Sequence, residues 1–154
     1  MLKKKPRPDK TAYANALRLL AMREHSEHQL WKKLEQREFD EVEISDAIET
    51  LKAENYLSDE RFAESYLRSR QMKCYGPVRI RLELKERGVA ANIIDNIFNQ
   101  QDETESSWYD IMQQAYYRKY GDSQPEDYQD KAKRCRYLQN RGFSSSDIMQ
   151  LVNL

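Results

Sequence analysis

Three copies of one pattern of apolar residues run along the chain. Each copy has a leucine followed five positions later by a phenylalanine or valine, with an arginine between them. An isoleucine follows after five more positions and another apolar residue after four. Because the same order and spacing recur three times, the chain is predicted to repeat one unit roughly every 50 residues. The apolar positions are Leu34, Phe39, Ile44 and Ile48; Leu84, Val89, Ile94 and Phe98; and Leu138, Phe143, Ile148 and Val152.

One segment of the second copy, residues 76–88, alternates apolar and charged residues and by itself resembles a half-buried strand. The aligned residues of the other two copies do not alternate, since their apolar groups lie three or four positions apart. We therefore predict a helix here, with Ile80 and Leu84 facing the core. Pro77 suits the first helical position, where its missing N–H costs nothing, and Gly88 suits a left-handed turn that ends the helix.

Helix start signals divide each repeat into three short helices. Ser26 followed by Gln29, and Asp40 followed by Glu43, have the spacing of capping boxes. The first helix of each repeat is predicted at residues 13–23, 60–73 and 108–120. The helix at residues 13–23 has a predicted apolar face of Ala16, Leu17, Leu20 and Ala21. Further N-caps are predicted at Ser58, Ser106 and Ser144.

A three-helix unit of this size has little core of its own, so neighbouring units are expected to stack. The predicted fold is all-α, with three tandem three-helix repeats stacked into an elongated, curved solenoid-like array. The repeats are assigned to residues 11–57, 58–101 and 102–154, with a mobile basic tail at residues 1–10, a polar linker at residues 99–105 and a loop at residues 121–127.

Composition agrees with a helical protein and gives little support to several other classes. The 154 residues include only 4 Gly and 4 Pro, so few positions interrupt a helix. The 26 basic and 26 acidic residues cancel, so no overall field attracts a polyanion. Residues 38–60 are nevertheless mainly acidic and residues 61–87 mainly basic. No long apolar run exists, and the sequence therefore predicts no membrane span and a cytoplasmic location.

Catalytic and metal chemistry find little support in the sequence. His25 and His28 are the only histidines, and Ser26 between them is predicted to cap a helix, so the two would not share one helical face. Cys74 and Cys135 lie too far apart for a zinc motif. No glycine-rich phosphate loop is present. The sequence therefore predicts no metal, no cofactor and no enzymatic activity.

Basic residues of the second repeat are the strongest candidates for a binding site. They lie on two predicted helices joined by a tight turn at Tyr75 and Gly76, so they are expected on adjacent surfaces. They would either form a solvated face paired with Glu83 and Glu86, or bind phosphate or an acidic protein surface. The six candidates are Arg68, Arg70, Lys73, Arg79, Arg81 and Arg87.

Aromatic residues are concentrated in the third repeat and admit two interpretations. Beside Arg118 and Lys119 they could stack on nucleic-acid bases, or they could be core residues with a hydroxyl at the edge. Tyr116 and Tyr117 are neighbours on one predicted helix and cannot both face inward, so at least one is expected to be exposed.

Three segments resemble proteins of the RecX family, which regulate the RecA recombinase in bacteria. They read ALRLLAMREHSEHQLWKKL (residues 16–34), YLSDERFAESYLRSR (residues 56–70) and GPVRIRLELKERGV (residues 76–89). The resemblance extends over residues 12–154 and includes the order and spacing of the three helical triplets. Glu38 departs from the repeat pattern, since Gly88 and Gly142 occupy the equivalent positions.

The resemblance implies a non-enzymatic regulator that binds the RecA filament on single-stranded DNA. It implies a protein that blocks filament growth and inhibits ATP hydrolysis and strand exchange. The six cations are then expected to contact DNA phosphate or an acidic protein surface, and reversing the charges of Arg79 and Arg81 should weaken inhibition without unfolding. Separately from the resemblance, the chain is expected to be a monomer, because no repeat has an obvious surplus apolar stripe. Two alternatives stay open: a stand-alone helical nucleic-acid-binding module similar to helix-turn-helix units, and a protein scaffold unrelated to DNA.

Overall fold

The computed structural model describes residues 11–104 and 107–152, and the predictions for residues 1–10 and for Ser106 lie outside those ranges. The described residues form nine α-helices and no strand, which confirms the all-α prediction. The helices are α1 (Ala12–Met22), α2 (Glu27–Gln36), α3 (Glu41–Ala53), α4 (Asp59–Met72), α5 (Pro77–Glu86), α6 (Ala91–Thr104), α7 (Trp108–Tyr120), α8 (Tyr128–Asn140) and α9 (Ser145–Val152).

Consecutive helices pack in three groups of three, which confirms the tandem repeat. Helix α1 packs on α2 and α3, α4 packs on α5 and α6, and α8 packs on α7 and α9. Each group encloses its own cluster of buried side chains. Leu34, Leu84 and Leu138 are fully buried at the centres of these clusters, and burial of each leucine contributes about 2 kcal/mol.

Helix α5 confirms the helical interpretation of the alternating segment. Pro77 is its first residue. Ile80 and Leu84 are fully buried, whereas Val78 and Leu82 are exposed on another face. Alternation on a helix therefore produces two apolar stripes with different surroundings, because residues two positions apart point in different directions.

The buried face of α1 differs from the predicted one. Ala21 is exposed, while Asn15 and Leu19 are buried. The buried Asn15 side chain accepts a hydrogen bond from the guanidinium of Arg37 in the same repeat. That bond satisfies a polar group inside the packed face, so apolar spacing alone could not identify it.

The N-caps follow the predictions with two differences. Ser26 and Gln29 form a full capping box, and Ser58 caps α4 as predicted. The Glu43 carboxylate, however, accepts a hydrogen bond from the Ala12 N–H of α1 at 3.0 Å and thereby joins α3 to α1. The cap of α7 is Ser107, a position later than the predicted cap, and Ser144 accepts from the N–H of Asp147 at the start of α9.

The predicted linker at residues 99–105 is helical as far as it is described. Helix α6 continues through Thr104, because this polar segment contains neither glycine nor proline to interrupt the helix. The loop at residues 121–127 is confirmed. Arg134 of α8 is buried and donates to the carbonyls of Ser123 and Gln124 in that loop, at 2.7 and 3.3 Å.

The middle helices of the three repeats follow one another head to tail. At the start of α5, the Gly76 N–H donates to the Arg141 carbonyl at the end of α8, at 2.7 Å. At the start of α2, the Ser26 hydroxyl donates to the Arg87 carbonyl at the end of α5, at 2.7 Å. Carbonyl oxygens that have no partner within their own helix therefore accept hydrogen bonds from donors at the start of the next helix.

These junctions require glycine at two of the three helix ends. A Cβ on Gly142 would lie 2.3 Å from the Cβ of Arg79, and a Cβ on Gly88 would lie 2.5 Å from the Cβ of His28. Glu38 has the same left-handed conformation, with φ of 66°, but it is exposed. The first repeat therefore tolerates a side chain where the other two do not, which explains its departure from the pattern.

Candidate functional site

Glu83 lies at the centre of the basic residues and contacts both α4 and its own helix, α5. Its carboxylate accepts hydrogen bonds from Arg70 Nη2 at 2.7 Å, from Arg79 Nε at 2.9 Å and from the Tyr66 hydroxyl. Arg87 Nη1 donates to the backbone carbonyl of Glu83 at 3.0 Å. Three of the six candidate cations therefore converge on one residue.

Burial and hydrogen bonding act in opposite directions on the Glu83 carboxyl. Burial raises its pKa, but hydrogen bonds from Arg70, Tyr66 and Arg79 outweigh burial and lower the pKa to about 2. Burial and the bond to Glu83 raise the pKa of the Tyr66 hydroxyl to about 12. At neutral pH the site therefore contains a carboxylate acceptor and a neutral phenol donor.

Tyr75, in the turn between α4 and α5, lies among three guanidinium groups. The Cζ atoms of Arg70, Arg141 and Arg79 are 4.0, 4.2 and 4.5 Å from the centroid of its ring. These are distances of cation–π contacts. We call Tyr75, Arg70, Arg79, Arg141 and Glu83 the Tyr75 cluster. Its three guanidinium groups exceed its single carboxylate, so positive charge remains at the junction of the second and third repeats.

The other candidate cations lie elsewhere on the second repeat. Arg81 faces α6, where its Nη1 pairs with Asp95 at 2.7 Å and its Cζ lies 4.3 Å from the centroid of the Phe98 ring. Arg68 and Lys73 are exposed on α4 and at its C-terminal cap. Neither forms an ion pair with a residue that the structure describes. The structure thus brings three of the six cations together and leaves two available to a partner.

The surroundings of Arg79 decide which variants can test this surface. Its Nε pairs with Glu83, and its Nη1 donates to the Asn140 carbonyl of the third repeat at 3.0 Å. A carboxylate at this position would repel Glu83 and remove a bond across the junction. Reversing the charge of Arg79 is therefore expected to destabilise the fold, contrary to the expectation from sequence.

Sequence reasoning does not select Tyr75 or Arg141 as site residues. Arg141 belongs to the third repeat, and its Nε donates to the Cys74 carbonyl of the second repeat at 3.0 Å. A signal was present in the repeat itself, because an arginine precedes the helix stop in every copy, as Arg37, Arg87 and Arg141. Its recurrence indicates a shared role for this position, but the partner differs in each repeat.

The third-repeat aromatics and the histidines have mainly structural surroundings. Tyr117 is exposed and Tyr116 packs against the core, which confirms that the two do not both face inward. His25 is buried, with its Nδ1 2.9 Å from the Arg23 carbonyl and its Nε2 3.5 Å from Lys33 Nζ. Across the described residues, no three His, Cys, Asp or Glu side chains are grouped to hold a metal. Those residues also include no helix of the length and apolarity needed to cross a membrane.

Acid is expected to weaken the fold through Glu83. Its pKa is lower in the folded protein, about 2, than in an unfolded chain, about 4.3. The carboxylate therefore stabilises the fold fully above the unfolded value, and this contribution, on the order of 2 kcal/mol, is lost as the pH falls toward 2. Urea unfolding at pH 6, 4 and 3 should show the loss below pH 4.3, and Glu83→Gln should make the profile flatter. Parallel profiles for the two proteins would contradict this assignment.

Comparison with known proteins finds matches to three successive three-helix domains. Residues 12–51, 58–96 and 105–152 match the models described as the first, second and third three-helix domains of RecX. The chain is 36% identical over 143 residues to regulatory protein RecX of Haemophilus influenzae strain Rd, with 92% of both chains covered. It is 37% identical over 138 residues to regulatory protein RecX of Pseudomonas entomophila, with 90% of this chain and 87% of that protein covered.

Two crystal structures share the fold. One, of regulatory protein RecX, has a TM-score of 0.75 at 23% identity and matches 92% of this chain and 70% of its own. The other, of RecX from Lactobacillus salivarius, has a TM-score of 0.73 at 23% identity and matches 92% of this chain and 94% of its own. From the three domain matches and the identity to its relatives, we conclude that the chain belongs to the RecX family of regulatory proteins.

Proposed function

We propose that this chain is a negative regulator of the RecA recombinase and has no enzymatic activity of its own. It binds the RecA filament on single-stranded DNA, blocks filament growth, and inhibits ATP hydrolysis and strand exchange. It acts as a monomer and needs no cofactor. Membership of a family of regulatory proteins supports this role, and a filament that combines DNA with protein offers anionic surfaces to a cationic partner.

The Tyr75 cluster is the observation that carries the proposal. It holds three guanidinium groups in fixed positions around one ring, with only Glu83 as their carboxylate partner among the described residues. Guanidinium groups keep free N–H donors after one ion pair and bind phosphate and carboxylate in a planar geometry. Because the arginines are already ordered, an anionic partner loses little additional side-chain freedom when it binds.

Lys73 extends this cationic surface at the C-terminal end of α4, whereas Arg68 lies on another face of α4, beside α6. Both are exposed, so their charges are available to DNA phosphate or to acidic side chains of the filament. Arg87 stacks on Tyr66 at 4.7 Å from the ring centroid and supports the cluster from α5. In this proposal, Arg70, Lys73, Arg79 and Arg87 contribute to one electrostatic surface, whereas Arg68 and Arg81 add charge on neighbouring faces of α4 and α5.

The direct experiment adds this protein to RecA filaments assembled on single-stranded DNA and follows ATP hydrolysis. Inhibition at protein concentrations well below that of RecA is expected, because a regulator that blocks growing ends needs few molecules per filament. If hydrolysis is unchanged while the protein binds bare DNA with an affinity that falls steeply with salt, a stand-alone nucleic-acid-binding module replaces the proposal. If neither inhibition nor DNA binding occurs, a protein scaffold replaces it.

Arg68→Glu combined with Lys73→Glu is expected to raise the concentration needed for half-inhibition about tenfold. Both side chains are exposed and unpaired in the described structure, so the double variant should keep the thermal unfolding midpoint of the parent. Lys32→Glu combined with Lys133→Glu makes the same change in net charge at exposed positions of the other repeats and is the control. Equal inhibition by both double variants would remove α4 from the interface.

A further inference from the structure

Helix α5 has a second apolar stripe that its own repeat does not cover. Val78 and Leu82 are four positions apart, so they lie on one face of the helix. Their side chains are 59% and 56% exposed, whereas Ile80 and Leu84 on the inward face are fully buried. An exposed apolar pair beside a packed core marks a surface that another molecule can cover.

The exposed stripe forms one side of a groove between α5 and the start of α6. The groove has a volume of about 640 Å³, and its apolar surface comes from Val78, Leu82, Val89, Ala91 and Ile94. Two neighbouring helices leave a furrow of this kind along their line of contact, and a third helix packs into such a furrow through its own side-chain ridges. The shape therefore suits a helical segment with an apolar face.

The other two repeats show that packing does not require apolar residues at these positions. Positions equivalent to Val78 and Leu82 follow from the alignment of the buried leucines Leu34, Leu84 and Leu138. They are His28 and Lys32 in the first repeat, and Ala132 and Arg136 in the third. The apolar pair is thus specific to the second repeat, and the internal packing of a three-helix unit does not account for it.

Charges beside the groove indicate the chemistry of its occupant. Arg81 pairs with Asp95, which is itself 62% exposed, and Lys85 is exposed with no ion-pair partner among the described residues. Two cations therefore flank the apolar surface against one carboxylate. An occupant with acidic residues beside its apolar pair would complement this arrangement, while a basic one would be repelled.

We infer that this groove binds an acidic amphipathic helical segment of RecA, with an apolar pair three or four residues apart that contacts Val78 and Leu82. The inference rests on the proposed function and gives it a second contact, separate from the Tyr75 cluster. The apolar contact holds the partner after encounter, whereas the cationic surface accelerates encounter. Inhibition then depends on two surfaces with different sensitivity to salt.

A photo-crosslinking phenylalanine analogue at position 82 tests the occupant directly. It is irradiated in the presence of RecA filaments on single-stranded DNA with ATP, and the same analogue at position 32 of the first repeat is the control. A crosslink from position 82, absent from position 32, to a helical RecA segment that carries apolar and acidic residues supports the inference. A crosslink to DNA or to a second copy of this chain overturns it, as does the absence of any crosslink from a variant that still inhibits.

Replacement of the apolar pair separates this inference from the proposed function. Val78→His with Leu82→Lys introduces the residues of the first repeat and is expected to raise the concentration for half-inhibition at least tenfold. Val42→Lys changes another exposed apolar residue, in α3, and should leave inhibition unchanged. Full inhibition by the double variant overturns the inference that the groove binds RecA, but it does not contradict the proposed function. Failure of the unmodified protein to inhibit overturns both.

Discussion

Gly142→Ala is expected to lower the free energy of unfolding by about 2–4 kcal/mol. Its Cβ would lie 2.3 Å from the Cβ of Arg79 and 2.6 Å from the Arg79 backbone nitrogen. Those atoms belong to the first turn of α5 and cannot move aside as a flexible side-chain end can. The φ of 97° adds strain for any residue with a Cβ. Urea unfolding followed by circular dichroism measures the loss.

Glu38→Ala is the matched control for this prediction. Residue 38 already has a left-handed conformation with a side chain, and it is exposed. Its replacement should change the free energy of unfolding by less than about 0.5 kcal/mol. If the Gly142→Ala and Glu38→Ala variants unfold at the same urea concentration, that result contradicts the close approach of the end of α8 to the start of α5.

Glu83→Gln is expected to lower the free energy of unfolding by about 2–4 kcal/mol. The amide keeps the shape of the side chain but removes the charge that Arg70 and Arg79 share. Arg70 has only 18% of its side chain exposed, so water cannot fully replace the lost carboxylate. The amide also has one oxygen acceptor where the carboxylate has two, and either the arginines or Tyr66 lose a partner.

Asp95→Asn provides the comparison for Glu83→Gln, because it removes an ion pair of similar length in the same repeat. The Arg81 and Asp95 side chains are 43% and 62% exposed. Exposed pairs of this kind contribute about 0–1 kcal/mol. Equal destabilisation by the two variants, measured in the same urea titration, would show that Glu83 is not the organising residue of the Tyr75 cluster.

The repeat made most of the fold predictable from sequence. Segment 76–88 alone favours a strand, and only its alignment with the other copies predicts the helix that buries Ile80 and Leu84. The same alignment could not foresee Arg134, which is buried at the position of Ile80 in the third repeat. Its burial depends on carbonyl acceptors in the loop at residues 121–127, and a pattern of apolar residues contains no information about those acceptors.

The candidate site was harder to predict from sequence than the fold, because it forms where two repeats meet. Local clustering identified Arg70, Arg79 and Arg87, which are joined through Glu83 within one repeat. The contact between Tyr75 and Arg141 joins residues far apart in sequence and depends on how α8 approaches α5. Only the docked arrangement shows which cations are engaged in the fold and which, such as Arg68, remain exposed.

The two ends of the middle-helix series also bear on self-association. Joining two copies in the same register would bring the Glu38 turn of one copy to the start of α8 in another. Ser26 and Gly76 precede the buried leucines Leu34 and Leu84 by eight positions, whereas Asp127, the cap of α8, precedes Leu138 by eleven. The extra turn at the start of α8 would occupy the place that the Glu38 turn needs. Steric overlap at this contact therefore opposes polymerisation into open-ended chains through the register of the internal junctions.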